Sequence, residues 1–437
     1  MIDADTAESP LDRSLPSYPR LRILLSAFAC IVGRGSEPGM GWGWAQALSA
    51  AGHDVTVVTH PMGRTENDAW LDAHPCPNLT IEYVDDAWAP IVRRVWRRNE
   101  EWWNTTAWWL PYVAWQRHAL RRARTLHARR PFDVVHHVSF QNVVTGSPMW
   151  RLGIPFVFGP VGAAETSPRE AAPLFGGDRH RERLRSAVVS TRANPFARAA
   201  VRNAAVVLAP NVETASFMKA LGARRVEMMA SSGIDPALIS RGRGPSLDRR
   251  DGSVGRERVV WIGRLIPRKG PTLALDAFAR SAQDADVELH IVGDGPMAPR
   301  LRERIAAHGL EERVVLHGWI PWTEAQAVLA DADLMLFTSV RDTFPNQLIE
   351  GAAAGLPLVA LNLHGVASLV PDDCAAKVPF STPGATVADL AEALTSLLSD
   401  AERRADMGRA ALRFAARETL PQRAERMTKL YLGVLRS

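Results

Sequence analysis

The sequence predicts an α/β protein made of two doubly wound parallel sheets in tandem. Short apolar runs alternate with helical stretches along the chain, a pattern typical of parallel sheets covered by helices on both faces. A polar, Gly-rich and charged stretch at 240–258 divides this alternation into two halves. At 437 residues the chain is also longer than a domain with a single core usually is, and two domains of roughly 200 residues are the natural division.

In the first half, residues 1–19 are expected to form a disordered leader and residues 20–240 a domain. A Gly-rich loop at 30–43, and then a helix stopped by Gly52, follow the first strand. The strands themselves are short, largely apolar runs typical of buried parallel strands. The predicted strands are 21–29, 54–60, 132–138, 154–160, 204–210 and 225–231.

In the second half, residues 241–257 are interpreted as a linker, 258–415 as a domain and 416–437 as a C-terminal helix that packs back on the first domain. A further helix is expected from about Pro345 to Ala354, since proline suits the first helical turn. Because ligands bind at the carboxyl ends of strands in doubly wound sheets, two such sheets predict one cleft between them. The predicted strands are 258–263, 287–293, 313–318, 333–339 and 356–361.

Composition argues against membrane-spanning, secreted and zinc-binding classes. The first ten residues are acidic and polar, unlike a secretory signal, and no apolar run approaches the ~20 residues of a membrane span. Cys30, Cys76 and Cys374 are scattered and odd in number, which indicates a reducing cytosol without structural disulfides. No Cys/His spacing indicates zinc. We therefore expect a cytoplasmic protein without a metal.

The segment 88–130 mixes tryptophan with arginine. Half of the chain's 14 tryptophans lie between Trp88 and Trp115, and eight arginines lie in or just beyond this stretch. One interpretation is peripheral contact with an anionic membrane, on the inner face of the cytoplasmic membrane. The other is a helical pair with partly buried indoles and a solvated basic face. No nucleic-acid partner is expected, because no RNA- or DNA-binding motif accompanies the basic patch.

A first motif, GRLIPRKG, follows the first strand of the second half and carries Arg264 and Lys269. A guanidinium binds phosphate bidentately and an ammonium adds a compact charge, so the pair suits a diphosphate. Gly263 permits a tight turn and close backbone approach. The helix that opens after Gly270 adds amide groups toward an anion. By itself the motif is also compatible with two basic residues on an exposed loop by chance.

A second motif places Asp342 in a loop and Glu350 in the second turn of the helix that starts near Pro345. Carboxylates suit sugar hydroxyls, and the free amides at the helix start suit a phosphate. Phe344, Pro345 and Asn346 at this start are included in the predicted donor-binding set. The alternative is an ordinary strand–helix unit with a surface aspartate and a capping or salt-bridged glutamate. The two motifs together favour a nucleotide-sugar site.

The order of these elements resembles the retaining glycosyltransferases of family 4, in particular bacterial envelope-polysaccharide members. The family has the GT-B fold, two tandem Rossmann-like domains facing across a cleft. The resemblance covers most of the chain and is strongest over 258–361, with GRLIPRKG, VGDGP, HGWIP and the two acids separated by seven residues. In the first half, the Gly-rich loop, FDVVHHVSF and LGIPFVFGPVGAAE are similar to segments of the family.

The resemblance implies roles for the four charged residues. Arg264 and Lys269 would hold the donor diphosphate and stabilise the charge that develops on it. Glu350 would accept hydrogen bonds from the nucleotide ribose, and Asp342 would lie near the donor-sugar hydroxyls. Two departures affect this last region: the family's first acid is usually glutamate, and Pro345 stands where a glycine is common.

The resemblance also implies a wider site. Gly39 and Gly41 would let the N-terminal loop close on the phosphate and sugar, and either His136 or His137 would reach the cleft. Residues expected on the nucleotide side are Gly263, Gly293, Gly295 and Trp319, although Trp319 is as compatible with a core position.

The expected function is therefore transfer of a sugar from a nucleoside diphosphate sugar to a hydroxyl of a glycan or lipid-linked acceptor, with retention. No cofactor and no divalent metal are expected. Two alternatives stay open. One is a nucleotide-sugar epimerase or a phosphorylase on the same fold, and the other is a catalytically silent protein that binds nucleotide-sugar or scaffolds an assembly.

Overall fold

The computed structural model describes residues 18–88, 90–92, 94, 109–141, 143–162, 164–190, 194–239, 256–281 and 286–436. The predicted leader up to residue 17, the predicted linker up to residue 255 and residues 95–108 of the Trp/Arg segment lie outside these ranges. The described residues form two domains, each built on an all-parallel sheet with helices on both faces. The predicted fold class is confirmed.

The first sheet has seven described strands, because apolar runs buried on both faces recur along this half of the chain. The strands are β1 Arg22–Ala27, β2 Asp54–Thr59, β3 Leu79–Tyr83, β4 Val134–Ser139, β5 Phe156–Phe158, β6 Val206–Ala209 and β7 Val226–Met228. Their spatial order is β3-β2-β1-β4-β5-β6-β7, so the chain winds outward in both directions from β1 and β4. The sequence did not predict β3.

Helices and short 3₁₀ turns connect these strands. The described helices are α1 Ser36–Ala50, α2 Arg64–Ala73, α3 Trp109–Arg129, α4 Arg179–Ser190, α5 Pro195–Asn203 and α6 Val212–Leu221. The 3₁₀ turns are Pro61–Gly63, Pro148–Leu152, Arg169–Asp178 and Pro236–Leu238. α1 starts eight residues earlier than the predicted start at Trp44, so much of the predicted Gly-rich loop is helical.

The second sheet has six described strands in the order β10-β9-β8-β11-β12-β13. They are β8 Glu257–Ile262, β9 Val287–Val292, β10 Val314–Gly318, β11 Leu334–Phe337, β12 Leu358–Leu361 and β13 Ala375–Val378, of which β13 was not predicted. The described helices are α7 Pro271–Ser281, α8 Ala298–Ala307, α9 Trp322–Ala330, α10 Asn346–Ala353, α11 His364–Leu369, α12 Pro383–Leu398 and α13 Ala401–Arg417, with a 3₁₀ turn at Pro267–Lys269.

The last helix, α14 Leu420–Leu435, returns to the first domain. Its apolar face joins the core cluster that contains Ile23 and Leu25 of β1. The Thr428 hydroxyl lies 2.7 Å from Nε2 of His53. Burial of this face therefore ties the C-terminus to the first sheet.

A segment of the first half of the chain packs on the second domain, whereas α14 packs on the first. We call residues 164–190 the cross-domain arm. Ala171 and Phe175, in its 3₁₀ turn, belong to the same buried apolar cluster as Trp261 and Leu273 of the second domain. The arm is therefore packed into the second domain beside the turn at Pro267–Lys269.

Within the described ranges, no helix has both the length and the apolar character needed to cross a bilayer.

Candidate functional site

The two predicted motifs meet because β8 and β11 are neighbours in the second sheet. The turn after β8 and the loop after β11 therefore leave the same edge side by side. The amide of Val340 donates to the carbonyl of Arg268 at 2.9 Å, and the hydroxyl of Thr338 donates to the carbonyl of Gly270 at 2.8 Å. These bonds lock the turn that carries Lys269 against the loop that carries Asp342.

Lys269 and Asp342 form an ion pair between Nζ and Oδ2. The lysine is only 7% exposed. Burial alone would raise the pKa of Asp342, but the positive charges of Lys269, Arg268 and Arg341 outweigh burial and lower it overall. The aspartate is therefore ionised, and Lys269 is held in a fixed position by it.

Further cations that sequence reasoning missed surround this pair. Arg268 donates from Nη1 to the carbonyl of Arg341 at 3.2 Å, and Nε of Arg341 lies 2.8 Å from the Glu182 carboxylate on the cross-domain arm. Burial lowers the pKa of Arg185, also on the arm, to about 10. The charges of Arg264 and Arg268 act on one another and on Lys269, which places Arg264 in the same group.

We call this group the basic cluster. It comprises Arg185, Arg264, Arg268, Lys269 and Arg341 together with Glu165, Glu182 and Asp342. Counted over these eight described residues, five cations face three carboxylates, so two positive charges are in excess. Most of the cluster is buried or half-buried, where an excess of charge is costly and a dianionic ligand would offset it.

Glu350 lies in the second turn of α10, as predicted. The indole Nε1 of Trp322 donates to its Oε1 at 3.1 Å, and burial raises the pKa of the carboxyl. A Cβ built on Gly35, the residue before α1, would lie 3.6 Å from Cδ1 of Trp322. The first domain thus comes into contact with the second close to Glu350, and this carboxylate lies at the boundary between the domains.

α10 starts one residue later than predicted, since Pro345 has an extended conformation just before the helix and Asn346 is its first residue. Phe344 is buried. The side-chain oxygen of Asn346 is buried and has no hydrogen-bond partner within the described part of the chain. The first turn of α10 directly follows the loop that carries Asp342, and within it the amide of Leu348 donates to the carbonyl of Pro345 at 3.2 Å.

The glycines of the second domain shape the turns. A Cβ built on Gly293 would lie 2.0 Å from the carbonyl oxygen of Gly263, and one on Gly295 would lie 2.6 Å from that of Leu265. Both glycines also have positive φ, 130° and 154°. They let the turn after β9 pack directly on the turn that carries Arg264. Trp319, 67% exposed after β10, is not a core residue.

The glycines of the first domain differ from the prediction. Gly39 and Gly41 lie inside α1, not in a loop. A Cβ on Gly39 would lie 1.8 Å from the carbonyl oxygen of Arg34, and one on Gly41 would lie 2.3 Å from that of Ala29. Because neither residue has a side chain, α1 packs closely against the loop that precedes it.

The histidine doublet requires a correction, because the structure places neither imidazole in the cleft. Both are fully buried. His136 Nε2 lies 2.6 Å from the Gly159 carbonyl and Nδ1 lies 2.6 Å from the Tyr431 hydroxyl. His137 lies 3.0 Å from the hydroxyl of Tyr112 and 3.1 Å from that of Ser26. β4 is central and covered on both faces, so both rings are satisfied inside the first domain.

Contacts between the domains converge on Thr343, the residue after Asp342. Its hydroxyl donates to Glu165 Oε1 at 2.6 Å, and its carbonyl accepts from Nδ2 of Asn211 at 2.9 Å. A Cβ built on Gly162 would lie 2.2 Å from Cγ2 of Thr343. Nothing local in the sequence marks these residues, because they are 130 or more positions from Thr343.

Among the described residues, no group of three or more His, Cys, Asp or Glu is placed to hold a metal ion.

Comparison with known proteins gives two family matches in chain order. Residues 42–230 match a glycosyl transferase 4-like domain, and residues 248–414 match glycosyl transferases group 1. Each match therefore covers most of one structural domain, and the second match begins at residue 248.

Two curated relatives are similar over part of the chain. An alpha-D-kanosaminyltransferase of Streptomyces kanamyceticus is 29% identical over 243 residues, which is 54% of this chain and 62% of the relative. A phosphatidylinositol N-acetylglucosaminyltransferase component of Arabidopsis thaliana is 24% identical over 362 residues, which is 81% of this chain and 70% of the relative. The chain thus spans less than two thirds of the first relative's length.

Among solved structures, HepE of Anabaena in complex with UDP superposes with a TM-score of 0.59 at 18% identity. The superposition covers 94% of this chain and 99% of HepE. At this identity the likeness establishes the two-domain fold and nothing about the ligand of this chain.

Proposed function

Since the chain belongs to the group 1 glycosyltransferases of family 4, with the GT-B fold, we propose that it is a retaining enzyme that transfers a sugar from a nucleoside diphosphate sugar to a hydroxyl. The observation that carries this proposal is the basic cluster. Its excess of two positive charges equals the charge of a diphosphate. Four of its five cations follow the carboxyl ends of two adjacent strands, β8 and β11, and Arg185 lies on the cross-domain arm.

In this proposal Arg264 and Lys269 bind the diphosphate, and the start of α10 adds amide donors. As the bond from the sugar to the diphosphate breaks, negative charge grows on the leaving group, and preorganised cations stabilise that charge. Asp342 holds Lys269 and accepts hydrogen bonds from hydroxyls of the sugar. Glu350, which is oriented by Trp322, accepts hydrogen bonds from the ribose hydroxyls. Because the cations supply the positive charge, the proposed reaction needs no divalent metal, and activity is expected to survive EDTA.

The acceptor is proposed to be a glycan or a lipid-linked molecule. The Arabidopsis relative is named for phosphatidylinositol and N-acetylglucosamine, and the Streptomyces relative for kanosamine. The first name supports a lipid-linked acceptor, and both support a sugar as the transferred group. Polysaccharide assembly at the cell envelope is the proposed setting.

Peripheral membrane contact through segment 88–130 is proposed on the exposure of its described apolar residues: Trp88 is 40%, Ile91 52% and Leu110 49% exposed. A flotation assay with anionic liposomes checks it. The wild type is expected to float, and a variant with Trp102, Trp103, Trp108 and Trp109 changed to Ser is expected to remain at the bottom. Trp319→Ser, an exposed tryptophan of the second domain, is the matched control. Equal flotation of all three proteins would contradict the proposal.

The proposed activity is tested first by a thermal-shift screen against UDP-, GDP- and ADP-sugars, because a ligand of the native state raises the melting temperature. The stabilising donor is then incubated with and without glycan acceptors, and the anomeric configuration of the product is read by NMR. Inversion would contradict retention. A changed sugar in the donor alone would indicate an epimerase, and binding without transfer or hydrolysis would indicate a silent nucleotide-sugar-binding protein.

A further inference from the structure

The cross-domain arm brings a carboxylate of the first domain to the loop that carries Asp342. Glu165 lies in the segment that follows β5 and is only 2% exposed. Its Oε1 accepts from the hydroxyl of Thr343 at 2.6 Å. The close approach of Gly162 to the same threonine brings this whole segment against the loop. The site is therefore completed from both domains.

The second oxygen of this carboxylate is not used. Within the described residues, Oε2 of Glu165 is buried and has no hydrogen-bond partner. An ionised carboxylate can accept about four hydrogen bonds, and buried side-chain oxygens are nearly always satisfied. The charges of Arg185 and Arg268 act on Glu165 and offset its negative charge, but neither guanidinium donates to Oε2. This oxygen therefore requires a donor from elsewhere.

The surroundings restrict the chemistry of that donor. The basic cluster already holds two positive charges in excess, so a cationic ligand would be repelled. A neutral hydroxyl supplies an O–H donor without adding charge. Thr343, which binds the other oxygen of Glu165, is the direct neighbour of Asp342. Asp342 pairs with Lys269 and Thr343 donates to Glu165, so one short loop connects the lysine of the basic cluster to this carboxylate.

We propose that Glu165 Oε2 accepts a hydrogen bond from a hydroxyl of the donor sugar, which makes Glu165 a specificity-determining residue contributed by the first domain. The inference rests on the proposed function and adds to it a residue of the first domain that binds the sugar. Glu165 and Asp342 then contact the sugar from opposite domains. Both contacts are therefore made only when the two domains are in contact through Thr343.

The competing explanation is that Glu165 only tethers Thr343. Glu165→Gln separates the two, because the amide carbonyl can still accept from Thr343 while the charged second acceptor is lost. The tether explanation predicts near-normal binding for Glu165→Gln and impaired binding for Thr343→Val. The proposal predicts impaired sugar binding for Glu165→Gln itself. Glu170→Gln, an exposed glutamate on the same arm, is the matched control.

Calorimetry compares two ligands: the nucleoside diphosphate sugar that stabilises the wild type most in the thermal-shift screen, and the same nucleoside diphosphate without the sugar. Glu165→Gln is expected to bind the sugar conjugate about tenfold more weakly, since a hydrogen bond to a charged group is lost. It is expected to bind the nucleoside diphosphate no more weakly than the wild type does, because loss of the Glu165 charge only increases the positive excess of the basic cluster. Glu165→Asp, which keeps the carboxylate, is expected to recover part of the loss.

Wild-type affinity of Glu165→Gln for the sugar conjugate would overturn the inference. An equal loss of affinity for both ligands would overturn it too, because it would indicate disturbed packing. Failure of the proposed function has a different result: the wild type itself would bind no nucleotide-sugar of the screen. The two failures are therefore distinguishable in one set of measurements.

Discussion

The middle of β4 in the first domain and the loops after β8 and β11 in the second hold buried or half-buried polar side chains on two similar sheets. They differ in how those side chains are compensated. The imidazoles of His136 and His137 find hydroxyl or carbonyl partners inside their own domain or on the returning helix α14. The basic cluster retains two positive charges in excess. Buried polar residues whose hydrogen bonds are satisfied are therefore weaker markers of a candidate site than a group of charges that is not balanced.

The largest expected effect lies in the basic cluster. Arg264→Ala and Lys269→Ala are each expected to lower kcat/KM by about two orders of magnitude, because a preorganised cation at the leaving group is lost. Steady-state kinetics with the donor found by thermal shift measure the effect. Arg280→Ala, an exposed arginine at the end of α7, is the control and should be near wild type. Near-normal turnover in both cluster variants would remove the distinction between the two regions.

The same contrast explains what the sequence predicts well. The structure brings Arg264, Lys269 and Asp342 together, and the sequence allows this to be predicted because each lies in a short motif beside a strand end. Arg185, Glu165 and Glu182 cannot, because their place in the site depends on the cross-domain arm packing into the other domain. That packing buries Ala171 and Phe175, two ordinary apolar residues that carry no local signal.

The missed strands and the misjudged histidines have physical reasons too. β3 and β13 are edge strands that are only partly buried, so they lack the continuous apolar run of the central strands. For the doublet in β4, alternation shows that the two rings face opposite sides. It does not show that Tyr112 covers one face and Tyr431 the other, since these residues lie 25 and 295 positions away from their histidines.

A smaller effect on kcat/KM is expected from substitutions where the cross-domain arm contacts the basic cluster. Glu182 and Arg341 form an ion pair at 2.8 Å in which each side chain is 13% exposed. Glu182→Gln is expected to destabilise the protein by about 3 kcal/mol, because breaking a buried pair leaves a charge uncompensated. It is also expected to lower kcat/KM about tenfold, since Arg341 adjoins Asp342.

Urea unfolding and kinetics measure both changes, and the double variant Glu182→Gln, Arg341→Gln should be no worse than either single variant if the two residues act as a pair. Asp178→Asn is the control, because its pairing with Arg181 is exposed and should be worth less than about 1 kcal/mol. If Glu182→Gln behaved like Asp178→Asn, the arm would not be coupled to the site.

The smallest effect on catalysis is expected at the histidines, where the effect should fall on stability. Burial lowers the pKa of His136 to about 3 and that of His137 to about 4. Below the ordinary histidine pKa of about 6.5 the unfolded chain binds protons that the folded protein does not, so the free energy of unfolding falls as the pH decreases toward these values. At pH 5 each histidine should account for about 2 kcal/mol of this loss.

Urea unfolding of wild type and His136→Asn between pH 7 and pH 5 isolates one of these contributions, because the variant lacks the titrating group. We expect the variant to be less stable at pH 7, where it loses the bonds to Gly159 and Tyr431, and to lose less stability than the wild type on acidification. His74→Asn, at an exposed histidine, should follow the wild type. A fall in kcat/KM like that of Arg264→Ala, with unchanged stability, would instead place this imidazole among the residues that contact the substrate.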